Sequence, residues 1–297
     1  MISDLGEEEG LAEYKVSDKI ALIDADTVVF AACTVKEYAD DLLPQHMYTA
    51  DEWEAHTSHP GYDEGGQCIW MYDEQEVFEL CMERISEIQF RTNTKAAELH
   101  FTEGKNFRYD VYDMYKANRK GKRYPQGQSV IKRRLLEMYD GGIWDNVEAD
   151  DVVVYKKRTE PDKYVLCAVD KDVYKSVPGL HFNYYRAERY DIDMKWVETE
   201  HKDAYQFPYI QTLMGDSTDN ITGCPGIGKV KAAKAIEGLV TPQDMWRKVV
   251  DMFKNGKKPL TVKEAIRDMR LVNMHQAVPD GKGGYAVQLW TPPCDIK

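Results

Sequence analysis

Acids recur in this sequence where short apolar runs end. KIALID closes on Asp24, AELHFTE on Glu103 and KYVLCAVD on Asp170, with Asp172 two residues further on; VEADD supplies Glu148, Asp150 and Asp151, and GDSTD supplies Asp216 and Asp219. The set contains neither His nor Cys. Carboxylates gathered in one place repel one another, and divalent cations resolve the conflict; an all-oxygen set selects a hard ion such as Mg²⁺, with Mn²⁺ tolerated. Two such ions can perform phosphodiester hydrolysis, and the expected inner set is Glu148, Asp150 and Asp170, with the other acids placing the second ion or its waters. Each acid also has a plainer reading. Asp24 can simply end its strand, residues 148–151 can complement a helix dipole, and Asp26 reads as a helix N-cap and is left out of the set.

The opposite charge is concentrated in residues 105–134. There Lys105, Arg108, Lys116, Arg119, Lys120, Lys122, Arg123, Lys132, Arg133 and Arg134 face only Asp110 and Asp113. If YDMYKANRK is helical, Lys116 and Arg119 share a face and can grip one phosphate. Phe107, Tyr109, Tyr112, Tyr115 and Tyr124 are interleaved with these cations, as faces for unpaired bases or as core. The net charge of −12 does not argue against a polyanionic partner. Residues 37–87 carry many acids and a single arginine and account for the sign, whereas a polyanion senses the local field within about 10 Å.

A third stretch, GDSTDNITGCPGIGKVKAAKAI, passes from acids through a glycine loop into a lysine-studded helix. Gly226 and Gly228 let backbone N–H groups approach a phosphate, the helix start adds donors, and Lys229, Lys231 and Lys234 add charge without reading bases. Such an element grips duplex DNA irrespective of sequence. GCPGIGKV also fits G-x-x-x-x-G-K, the start of a nucleotide triphosphatase P-loop. Against that reading, the preceding TLMGDSTDNIT is polar, not a buried strand, and Val230 stands where Ser or Thr would bind magnesium. A non-catalytic DNA-binding protein is the other alternative.

The elements that must position these residues are legible as alternating strands and helices. The runs ending at Asp24, Glu103 and Asp170, with LHFNYYR as a fourth strand, predict an α/β fold with a central, largely parallel sheet. Helices are expected in TVVFAACTVKEY and EQEVFELCMERISEIQFRT, in SVIKRRLLEMY with a stop at Gly141 and Gly142, and after VEADD. In an open parallel sheet the carboxyl ends of the strands line one crevice, so Asp24, Glu103 and Asp170 should converge there. The 297 residues, 43% hydrophobic, suffice for one large core with a smaller module. No apolar run approaches the roughly 20 residues of a membrane span, which points to the cytoplasm, the host's if the chain is phage-encoded. Six scattered cysteines without a Cys-x-x-Cys pair read as reduced thiols, and EAHTSHPGYDEGG, with His56 and His59, as a solvated loop.

LIDAD, FTEGKNFRYDVYDMYKANR, VEADD, VDKD and GDSTDNITGCPGIGK stand in the order found in the 5′-nuclease family of flap endonucleases and phage 5′-to-3′ exonucleases. The resemblance covers residues 19–236, with a weaker echo in the tail, and is strongest to the short-tailed-phage exonuclease branch. It implies a PIN-like core at 19–204 with a basic helical arch at 105–134, preceded by an acidic extension at 1–18. A helix-three-turn-helix region and tail follow at 205–297. It implies that Asp24, Glu148, Asp150, Asp151, Asp170, Asp172, Asp216 and Asp219 hold two metal ions, with Glu103 where the family has aspartate. It assigns Lys116, Arg119 and Arg108 to the scissile phosphate, Tyr115, Gly226, Gly228, Lys229 and Lys231 to DNA, and K⁺ to the loop carbonyls. The implied activity is 5′-to-3′ exonuclease or flap endonuclease cutting of DNA at 5′ ends, flaps or single-strand junctions. It leaves 5′-phosphates, in phage replication, recombination or host DNA degradation. The insert at 37–87 has no counterpart in that pattern.

Overall fold

The computed structural model describes residues 17–187 and 190–295, so the acidic extension lies outside them except for its last two residues. β1 (Ser17–Asp24) leads into α1 (Asp26–Lys36). Residues 37–72 then form a small antiparallel sheet, with β2 (Glu37–Asp41), α2 (Ala50–Thr57), β3 (Tyr62–Asp63) and β4 (Cys68–Tyr72). α3 (Glu74–Thr92) and β5 (Thr94–Thr102) return the chain to the main sheet. The basic stretch follows, with only the single turn α4 (Arg108–Val111) and a 3₁₀ turn at Ala117–Arg119 before α5 (Gln128–Leu136). Next come β6 (Asp140–Trp144), α6 (Ala149–Thr159), β7 (Tyr164–Cys167), α7 (Lys171–Lys175), β8 (Gly179–Asn183) and β9 (Lys195–Thr199). α8 (His201–Met214), α9 (Lys229–Ile236), α10 (Pro242–Asn255) and α11 (Val262–Val272) precede a last hairpin of β10 (Ala277–Pro279) and β11 (Tyr285–Val287).

The main sheet has the order β6-β5-β1-β7-β8-β9, parallel except where β9 runs back along β8. Its central strands are apolar because both faces are covered: Leu22, Ile23, Leu99 and Leu166 are fully buried. Apolar residues on α1, α3 and α5 close one face, and those of α6 and α7 the other. A separate core of Leu213, Ile236, Trp246, Val249, Phe253 and Met269 binds α8 to α11 together. The chain passes from β1 to β5 and β6 on one side and then crosses to β7 on the other, which puts the switch in strand order between β1 and β7. Such a switch point opens a crevice at the carboxyl ends of the strands.

Four local expectations are corrected. The helix after SVIKRRL ends at Leu136, and Gly141 and Gly142 lie in β6. Gly141 is needed there because a Cβ would stand 1.8 Å from the Leu99 carbonyl oxygen, with φ at +139°. Asp26 is not an N-cap; Ala25 holds that position and Asp26 begins the helix. His56 belongs to α2, whose capping box between Thr49 and Glu52 makes a helix of a stretch that reads as loop. Lys116 and Arg119 do not ride one continuous helix, since Lys116 adopts φ of +54° and breaks it.

Candidate active site

A cavity of about 700 Å³ opens over the carboxyl ends of β1, β5 and β7. Asp24 ends β1, Asp170 caps α7 just beyond β7, and Glu148 and Asp150 begin α6 after β6. The loop after α8 brings in Asp216 and Asp219. Seven of the predicted acids therefore line one space: Asp24, Glu148, Asp150, Asp170, Asp172, Asp216 and Asp219. The other two do not line it. Asp151 is fully buried, with both oxygens 2.7 Å from the Arg108 guanidinium. Glu103 pairs with Arg133 at 2.9 Å and accepts from Ser129.

The acids at the floor are charged only at a cost. Burial, then Asp26 and Asp170, push Asp24 up to about 7 from its usual 3.8. Burial, Asp24, Glu148 and Asp170 likewise hold Asp150 well above the carboxylate range. Burial and Asp170 raise Asp172 to about 6. No hydrogen-bond donor reaches the buried Asp24 Oδ1. Asp172 has Lys171 at 3.3 Å, whereas Asp24 and Asp150 repel one another without an ion pair among the described residues, a pairing of oxygen donors that suits a hard divalent ion.

Nearer the rim the acids already have cationic partners. Lys116 Nζ stands 2.6 Å from Glu148 Oε1, Arg108 is 3.0 Å from Glu148 Oε2, and Arg119 is 2.6 Å from Asp219 Oδ1. The Tyr115 hydroxyl lies between Glu148 and Asp219, at 3.2 and 3.0 Å. Burial opposes ionisation of Glu148, but Lys116 and Arg108 outweigh it and hold the carboxyl below its ordinary value. With these carboxylates turned to cations, no group of three or more His, Cys, Asp or Glu among the described residues encloses an ion site as it stands. Loading would require Glu148 and Asp219 to exchange partners.

Lys116, Arg119 and Arg108 all line the cavity, but they differ in freedom. Arg108 is 2% exposed and also donates to Leu271 O, whereas Lys116 and Arg119 are half-buried at the wall. Tyr115, 2% exposed, packs against Tyr109 and offers no free face. Gly226, Gly228, Lys229 and Lys231 are exposed in the loop and first turn of α9, away from the cavity lining. Gly215 and Gly223 shape that loop at φ of +68° and +62°; a Cβ on Gly215 would meet Ile221 O at 2.5 Å. Because α8 precedes the loop, the buried strand that a P-loop follows is absent, which removes that reading.

Phe30 lines the cavity without any signal picked out in the sequence, whereas Lys132 stands in the sequence only as one cation of the basic stretch. Phe30, 43% exposed, stands edge-on to Tyr124 across the mouth at 6.4 Å. Its position one helical turn after Asp26, on the face that looks over the strand ends, is the signal that would find it. Lys132 is buried between Asp26 Oδ1 at 2.6 Å and Thr102 O at 2.7 Å. Asp26 also accepts the Thr102 N–H, so it ties α1 to β5 and α5.

A parallel sheet with acids at its strand ends, spanned by a basic segment, is the architecture of the 5′-nucleases, and this chain has that fold. The T5 D15 protein co-crystallised with metal ions superposes with a TM-score of 0.51 and 16% identity, over 86% of this chain and 90% of that one. In sequence, the chain is 29% identical over 160 residues to DNA polymerase I of Rhizobium leguminosarum, covering 49% of this chain and 15% of the polymerase. It is 28% identical over 177 residues to the thermostable DNA polymerase I of Thermus aquaticus, covering 57% of this chain and 20% of that one. The chain thus spans a fifth or less of these polymerases. No family model matches the sequence. Among the described residues no helix is long and apolar enough to cross a membrane.

Proposed function

We propose that the chain is a metal-dependent DNA nuclease acting at 5′ ends, flaps or single-strand junctions and leaving 5′-phosphates. The observation that carries this reading is the convergence of seven acids from distant segments in one cavity walled by Lys116 and Arg119. The T5 D15 protein, which has the same fold, was crystallised with metal ions. Asp24, Asp150, Asp170 and Asp172 would hold divalent ions, Mg²⁺ or Mn²⁺, joined by Glu148, Asp216 and Asp219. When bound, these ions supply a nucleophilic water near neutral pH and neutralise charge on the phosphoryl group and the departing 3′ oxygen. Asp151 and Glu103 act otherwise: Asp151 holds Arg108 in place, and Glu103 anchors α5 through Arg133.

The remaining work falls to the chain's own cations and loop. Lys116 and Arg119 exchange carboxylate for phosphate and orient the scissile bond, while Arg108 fixes Glu148 from behind. Residues 215–229 with the start of α9 serve as the helix-three-turn-helix grip on the duplex backbone through Gly226, Gly228, Lys229 and Lys231, with K⁺ on its carbonyls. We place the protein in phage DNA metabolism within the host cytoplasm, in line with the branch its motifs resemble. Incubating 5′- and 3′-labelled flap duplexes with protein, with Mg²⁺ or with chelator, tests the reading. Cleavage that requires Mg²⁺ and starts at the 5′ side is expected. DNA binding without cleavage would instead favour a non-catalytic binding protein.

A further inference from the structure

The small sheet of the insert that the 5′-nuclease motifs leave unexplained meets the basic span around Arg123, and the contact is specific. Glu37, at the junction of α1 and β2, is only 2% exposed in its side chain. It receives both arms of the Arg123 guanidinium at 2.7 Å and the backbone N–H of Gln126 at 2.9 Å. The same guanidinium lies 3.8 Å above the ring of Trp70 on β4. Gln126 donates to Pro60 O at 3.3 Å, and Gly127 sits so close to Tyr72 that a Cβ would stand 2.4 Å from its ring. A bidentate, stacked arginine on a buried carboxylate is a fixed joint, unlike a solvated ion pair.

The other foot of the span is fixed independently. Lys116 N–H donates to Asp219 O at 3.0 Å, Asn118 to Ser217 O and Thr218 O at 2.9 and 3.1 Å, and Asn220 reaches back to Met114 O at 2.7 Å. Between the two feet run Arg119, Lys120, Lys122 and Arg123, all but Lys120 lining the cavity.

We propose that the insert's three-stranded sheet is an abutment for the basic span. Glu37 and Trp70 are positioning residues that keep the span over the cavity before DNA arrives, so that Arg119, Lys122 and Arg123 already line the cavity when a strand enters. The brace stands on the contacts alone; its effect on cleavage rests on the nuclease reading.

Hydrogen exchange on the full chain without DNA or added metal tests the brace. Residues 112–127 are expected to exchange at least about tenfold faster in Glu37→Gln than in the parent, with β1, β5 and β7 unchanged. Arg123→Gln, altered on the exposed side of the joint, should match it, which separates the effect from misfolding. The double variant should be no faster than either single one. Cleavage of a 5′ flap tests what the brace does for substrate: Glu37→Gln should raise KM about tenfold with kcat changed less. Equal exchange in parent and variant overturns the brace, and an unchanged KM overturns its part in cleavage. Absence of Mg²⁺-dependent flap cleavage overturns the nuclease reading, while the exchange result still decides the brace.

Discussion

Lys116 Nζ and Glu148 Oε1 are 2.6 Å apart, so the span that should meet DNA is tied to the acids that should meet metal by one charge-assisted hydrogen bond. Each partner of this pair competes with a ligand: Lys116 with a divalent ion for Glu148, and Glu148 with a phosphate for Lys116. Removing the ammonium relieves the first competition and forfeits the second. Lys116→Met should therefore bind Mn²⁺ about tenfold more tightly in calorimetry without DNA, since a unit charge within hydrogen-bond distance repels a cation strongly in a half-buried site. The same variant should cut DNA about a hundredfold more slowly. Weaker Mn²⁺ binding would sink the idea that the lysine is a stand-in cation.

Asp150 illustrates a site held at the expense of the fold. Its pKa is raised by burial first and then by Asp24, Glu148 and Asp170, so at neutral pH the folded state must either charge an unwelcome group or hold a proton there. A carboxyl whose folded pKa exceeds its unfolded one costs stability that grows as pH rises above the unfolded value and vanishes below it. Asp150→Asn should thus stabilise the metal-free protein by roughly 1–3 kcal/mol at pH 7.5 and by nothing near pH 3.5. Thermal melts at the two pH values read this directly. The variant should also lose cleavage and lose the stabilisation that Mg²⁺ gives the parent.

Why the acids were legible and their neighbours were not follows from the physics of each. Asp24 and Asp170 end apolar runs, and a parallel sheet gives such positions one destination whatever the side chains do. Asp151 sits beside Asp150 in sequence, yet a helix turns successive residues by about 100°, which sends Asp151 inward to Arg108. No local pattern reveals a partner 43 residues away. The positive φ of Lys116 is similarly set by contacts with the loop at 216–220, not by its own preference. Gly141 and Gly142 carry the same signature at a helix stop as in a tightly packed edge strand, and only the proximity of Leu99 distinguishes the two.

Phe30 supplies apolar surface at the cavity mouth beside Tyr124. Exposed on α1 and held edge-on to Tyr124, it offers a face on which an unpaired base can stack at the cavity entrance. Phe30→Ala leaves the buried core of α1 untouched, so melting should shift little. KM for a flap substrate should rise about tenfold with kcat nearly unchanged, the cost of one lost stacking contact. An unaltered KM would remove Phe30 from the substrate path.

Two buried histidines and the buried Asp24 pull the pH dependence of stability in opposite directions. His181 is fully buried and donates from Nε2–H to Val177 O at 2.8 Å, and burial lowers it to about 4 from 6.5. A histidine with a depressed folded pKa stabilises fully above its unfolded value, and that stability drains as pH falls from 6.5 towards 4, by about 3 kcal/mol. His275, lowered to about 4 by burial and by Arg158, adds to the same slope. Asp24 acts with the reverse sign: raised to about 7, it penalises the fold at neutral pH and ceases to do so as pH falls from 7 towards 3.8. In urea titrations between pH 7.5 and 4.5, His181→Leu should therefore flatten the acid loss. Asp24→Asn, by removing the opposing gain, should steepen it. If both substitutions moved the slope the same way, the assignment of a neutral buried histidine and a strained buried aspartate to this fold would fail.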